Sequence, residues 1–122
     1  MINLDAQGFP RQPEFVMPTL WIVATLEGNQ DNVLKFADVE PELVAWFGLT
    51  QDQQNLRCSG GSEYRLHNHL RYTKAALLEH GLIAQSLRKG FWVTPAGQAY
   101  LEQNRVTPDL LASLSKADGG TR

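Results

Sequence analysis

The chain has 122 residues, 43% of them apolar, and a formal net charge of −2, the size of one domain with enough interior to fold without disulfides. Its single cysteine, Cys58, excludes an intramolecular disulfide, and no apolar run approaches the roughly 18 residues of a membrane span. Residues 1–10 carry Asp5 and no basic residue, unlike the charged start of a secretory signal, so a cytoplasmic protein without membrane contact is expected.

Charge is unevenly divided. Residues 1–56 hold eight acids and two bases, a net of −6. Residues 57–105 hold seven bases (Arg57, Arg65, Arg71, Lys74, Arg88, Lys89, Arg105) and three acids (Glu63, Glu79, Glu102), a net of +4, together with all three histidines. Such asymmetry points to a polyanion partner for the basic half.

Residues 1–14 read as an irregular lead-in, because Pro10 and Pro13 interrupt any regular element. Residues 15–26 are apolar and helix-like, with Pro18 tolerated near the first turn. A turn cluster at 28–32 leads into 33–36, either a short strand or an extended approach to the next helix. Asp38 reads as that helix's cap and Pro41 as part of its first turn. Leu43, Val44, Trp46 and Phe47 supply its apolar face, and Gly48 its stop. Thr50 and Gln53 match a capping box for a short helix ending near Leu56, and Ser59-Gly60-Gly61 loosens the loop that follows.

Residues 62–80 give the clearest helix, with Ser62 as its cap and Gly81 as the left-handed residue past its end. Strand character at 82–86 and 91–94 flanks a turn at 87–90 carrying Arg88 and Lys89, which predicts a hairpin. Thr94 and Pro95 then open a last helix to about residue 105, and residues 106–122 read as a flexible tail or truncated linker. Helices followed by a hairpin predict a mainly α fold with a small β-hairpin (α+β), a winged helix-turn-helix over residues 15–105.

On helix 62–80, a rotation of about 100° per residue puts Leu66, Leu70, Thr73 and Leu77 on one core-facing stripe. The opposite arc holds Tyr64, Asn68, Arg71, Tyr72 and Ala75, flanked by Arg65 and His67. Arginine pairs bidentately with guanine and asparagine with adenine in the major groove, so Arg65, Asn68 and Arg71 are the candidate base readers. Tyr64, His67, Tyr72 and Lys74 are candidates for phosphate or sugar, and Ser62 with the amides at the helix start for a phosphate. Arg88 and Lys89 at the hairpin tip form a second contact. Alternation puts Trp92 on the opposite face from Phe91 and Val93. It packs on the core or, if turned outward, stacks on a base or sugar, and core packing is favoured.

Other chemistries fit poorly. His67 and His69 diverge by about 200° on a helix, and His69 and His80 lie about 16 Å apart along its axis, so no metal set is expected. His69 and His80 read instead as partly buried polar residues. Nothing orients a Cys58–His nucleophile, no phosphate-binding glycine loop is present, and Asp38, Glu40 and Glu42 read as acids favouring a helix start. No catalytic residue and no cofactor is expected.

Four segments together, WFGLTQDQQ (46–54), SGG (59–61), YTKAALLEHGLI (72–83) and RKGFWVTPAG (88–97), resemble the N-terminal winged-helix domain of Mrr-type restriction endonucleases. The resemblance runs from about Phe15 to Asn104. It implies a domain that binds double-stranded, often methylated, DNA and brings to it a nuclease domain lying outside this chain. A winged-helix interaction or dimerisation module, giving a homodimer, and a DNA binder of the transcription-regulator kind are the alternatives that the residues leave open.

Overall fold

The computed structural model describes residues 3–86 and 89–104, so the expectations placed on Arg88, Arg105 and the 106–122 tail lie outside the described residues. More than half of the described residues are helical. A 3₁₀ turn at Gln12–Phe15 leads into α1 (Val16–Thr25), followed by α2 (Phe36–Phe47), α3 (Gln51–Gln54) and α4 (Arg65–Glu79). The strands β1 (Ile83–Ser86) and β2 (Gly90–Val93) form a two-stranded antiparallel sheet, and α5 (Pro95–Gln103) closes the described chain. The fold is therefore mainly α with a small β-hairpin.

α1 lies at the centre, in contact with α2, α4, α5 and β2. Its Leu20 and Val23 are fully buried beside Val39 and Leu43 of α2 and Leu70 of α4. Burying each such side chain contributes about 1.5–3 kcal/mol relative to exposure, so this cluster holds the helices together. The lead-in is irregular, as its prolines dictate, yet it belongs to the core. Phe9 and Phe15 are fully buried, and Leu4 bridges Pro10 across a turn that the Asp5 carboxylate closes on the Gln7 and Phe9 amides.

Helix boundaries follow the local chemistry with three corrections. Asp38 is not the α2 cap: Lys35 is, and Asp38 sits one turn in, where its carboxylate accepts the Lys35 amide at 2.8 Å. Pro41 lies inside α2 rather than in its first turn. Ser62 does not cap α4, because the helix begins at Arg65 after an extended Tyr64. A backbone ladder replaces the cap: the Cys58 amide donates to the Glu63 carbonyl (2.9 Å) and the Arg65 amide to the Leu56 carbonyl (2.8 Å), satisfying a helix-start donor that a side chain would otherwise serve. The other signals stand as read. Thr50 and Gln53 form the reciprocal capping box, the Thr94 hydroxyl accepts the Gly97 amide, and Gly48 and Gly81 are left-handed at φ 64° and 71°.

Of residues 33–36, the first three resolve as an extended approach that also pairs with the hairpin, and Phe36 already begins α2. Leu34 and Phe91 exchange both backbone hydrogen bonds, at 2.8 and 2.9 Å. The chain passes so close here that a Cβ on Gly90 would collide with the Leu34 carbonyl. Phe91 faces the core at 2% exposure, and Trp92, on the other side of the strand, is only half-buried. Alternation therefore stands, and the expectation that Trp92 packs on the core is corrected.

Candidate nucleic-acid interface

The outward side of α4 carries the residues that the sequence singles out, and at the helix start each of them already has an intramolecular partner. Arg65 donates to Asp5 (2.9 Å), Gln7 (3.2 Å) and the Arg57 carbonyl (3.3 Å), and its side chain is 19% exposed. Burial opposes ionisation of Asp5, but the Phe9 and Gln7 amides together with Arg65 outweigh it and hold the carboxyl below its ordinary range. His67 Nδ1 lies 3.2 Å from Glu40. Asn68 donates to Glu63 at 3.0 Å, and Arg71 grips the same carboxylate through Nε (3.0 Å) and Nη2 (3.1 Å). Arg71 and then Asn68 hold the Glu63 carboxyl down at about 2, while Glu63 and Tyr72 push Arg71 further up. The Arg71 guanidinium lies over the Tyr72 ring at 4.7 Å.

The sequence placed Arg65, Asn68 and Arg71 together as base readers. Arg65 is instead a tie between α4 and the lead-in, whereas Asn68 and Arg71 share one carboxylate at the surface. Ser62 is exposed and accepts Arg57 through its carbonyl. Tyr64 is 43% exposed and lies under the Arg57 guanidinium at 4.2 Å. His69 turns inward against the Phe9 and Phe15 rings at 5.5 and 5.3 Å, and burial pulls its pKa below the ordinary 6.5. His80, read as partly buried, is exposed at the end of α4.

The second half of α4 presents a different surface. A cleft of about 300 Å³ runs between α4 and the hairpin, lined by Lys35, His67, Lys74 and Lys89 over a floor of Phe36 and Phe91. The Lys74 ammonium rests on both rings, 5.4 Å from Phe36 and 5.7 Å from Phe91, which fixes a flexible cation by cation–π attraction. None of the described lining residues is a carboxylate, and Glu40 reaches the cleft only through its contact with His67. Such a cleft favours anions, since three lysines converge on it with no carboxylate among the described lining residues.

Lys35 and Arg57 were missed as site residues. Lys35 is one of only two bases in residues 1–56, directly before a helix, and that isolation was its available signal. The Leu34–Phe91 pairing that brings it to the hairpin has no sequence signature. Glu63 enters the sequence reading only as one of the three acids of residues 57–105. Among the described residues no three His, Cys, Asp or Glu side chains converge as a metal set, and no helix is long and apolar enough to cross a membrane. No family model, curated protein or solved structure matches the chain.

Proposed function

We propose that this domain binds double-stranded DNA as a winged helix, with the Lys35–Lys74–Lys89 cleft on the sugar-phosphate backbone and α4 facing the major groove. The single observation that carries the reading is the carboxylate-free cationic cleft between a long helix and a hairpin. The order of elements supports it: a helix, an extended segment paired to the hairpin, two further helices, the long helix and the hairpin are the parts of a winged helix-turn-helix. In this arrangement Lys74, Lys89 and Lys35 contact phosphate, Tyr72 and Tyr64 contact sugar or phosphate, and Arg71 with Asn68 approaches base edges. On this reading the domain binds without catalysing and works in the cytoplasm.

The test is the salt dependence of binding to random-sequence duplex. A site closing on backbone phosphates loses about 0.9 in the slope of log K against log salt for each phosphate it no longer neutralises. Lys74→Ala and Lys89→Ala each flatten the slope by about that amount, with equal weakening on all sequences. Absence of binding at low salt, or an unchanged slope in both variants, rejects the reading.

The resemblance to Mrr-type restriction endonucleases narrows the setting to a domain that delivers a nuclease domain to DNA. Matched methylated and unmethylated duplexes check it: equal affinity removes the modification reading and leaves DNA binding intact. A second reading, an interaction or dimerisation module, is favoured by Trp21 and Trp46, which flank a cleft of about 200 Å³ between α1 and α2. Gel filtration of the wild type and of Trp46→Ala separates the two readings.

A further inference from the structure

The paired side chains at the start of α4 leave a defined set of hydrogen-bonding positions open. Glu63 Oε1 accepts from Asn68 Nδ2 and Arg71 Nη2, and Oε2 accepts from Arg71 Nε. A carboxylate offers about four lone-pair sites, so one acceptor site remains on Oε2. A guanidinium carries five N–H donors, and two of those on Arg71 are spent on Glu63. Tyr72 engages the group as well, and the donors left over sit on a side chain that is 48% exposed. Stacking on Tyr72 fixes the plane of that guanidinium. The cluster therefore has no net charge, a fixed orientation, and one open carboxylate acceptor beside open donors.

That inventory discriminates among the groups that DNA presents. A phosphate has acceptors alone, and the Glu63 charge repels it. The major-groove edge of a G·C pair orders two adjacent acceptors, guanine N7 and O6, and then the cytosine N4 donor, whereas an A·T edge puts the adenine N6 amine between its two acceptors; paired guanidinium donors beside one open carboxylate acceptor match the first order.

We propose that Glu63 is a specificity-determining residue that accepts from a cytosine N4 amine while it aligns Arg71 on the paired guanine. The proposal rests on the duplex-binding reading above and deepens it. Glu63 stays ionised across the physiological range, so a duplex meets it as a carboxylate. It also stops Arg71 from gripping backbone phosphate, which suppresses binding to the wrong sequence.

The experiment selects bound sequences from a random duplex pool with the wild type, Glu63→Gln and Arg71→Ala, and measures salt slopes on an unselected duplex. The wild type selects a G·C pair at one position. Glu63→Gln loses that preference by about fivefold or more, the lower range of one good base-edge contact. It also tightens on the unselected duplex, with a slope steeper by about 0.9 as Arg71 becomes free for a phosphate. Arg71→Ala loses the same preference without that gain. Thermal melts check that both variants remain folded. A wild type with no G·C preference, or a Glu63→Gln selection identical to it, overturns this proposal while duplex binding stands. Absence of duplex binding by the wild type overturns both.

Discussion

The cations along α4 differ in what surrounds them. At the start, Arg65, His67, Asn68 and Arg71 meet Asp5, Glu40 and Glu63. Less than one turn past Arg71, Lys74 rests on the Phe36 and Phe91 rings and shares a cleft with Lys35 and Lys89. The first region spends its charge on intramolecular pairs, and the second gathers lysines with no carboxylate among the described lining residues. A basic residue on an outward helix face is thus no measure of affinity until its partners are known. Desolvating an already paired cation costs much of what a new contact returns, and an unpaired one stays available.

Removing the second region has the largest expected effect. The combined Lys35→Ala, Lys74→Ala and Lys89→Ala variant flattens the salt slope by about 0.9 for each phosphate left without its lysine, while Arg65→Ala leaves the slope unchanged. Fluorescence anisotropy over a salt series checks both. Equal damage from Arg65→Ala would erase the distinction between the regions.

Gly90→Ala comes next. The added methyl meets the Leu34 carbonyl and lies 3.0 Å from Val33 Cβ, so the pairing that positions Lys35 must shift. Overpacking of this kind costs about 1–3 kcal/mol, and both chemical denaturation and duplex binding register it.

Arg65→Ala then costs stability rather than affinity. Loss of the largely buried Asp5 pair lowers the melting temperature by about 4–8 °C if it contributes about 1 kcal/mol. Asp5→Asn does similar damage, and the double variant is non-additive because the two groups share one interaction.

The smallest effect is one of pH. His69 has a folded pKa below its ordinary 6.5 because it is buried, so the unfolded chain binds the proton more readily. Its stabilising contribution is complete above about 6.5 and is lost as pH falls through the lowered folded value. Asp5, also depressed, keeps its contribution above the ordinary carboxylate range and loses it at more acidic pH. Melting temperatures of the wild type and His69→Gln between pH 8 and 5 separate the histidine contribution, which the variant lacks.

Much of this was legible in the sequence. Local signals set the elements: the Thr50–Gln53 box, Thr94-Pro95, and the glycines at 48 and 81. The Leu66, Leu70, Thr73, Leu77 stripe set the buried face of α4. Long-range pairing was not legible. Asp5 reaches Arg65 from sixty residues away, and Leu34 meets Phe91 through backbone groups that every residue possesses. Ser62 was misjudged because a backbone ladder from the 57–64 loop took over the work of a cap. A helical wheel reports which residues turn outward and is silent about acids arriving from other elements, so it missed the neutralisation of the α4 start.

The most direct test of the central claim is a backbone amide and side-chain NMR titration of the wild type with random-sequence duplex at low salt. The cationic cleft predicts the largest shifts at Lys35, Lys74, Lys89, Arg71 and Tyr72, with Arg65 and Asp5 little changed. Shifts confined to the Trp21 and Trp46 face, or none at all, would contradict it.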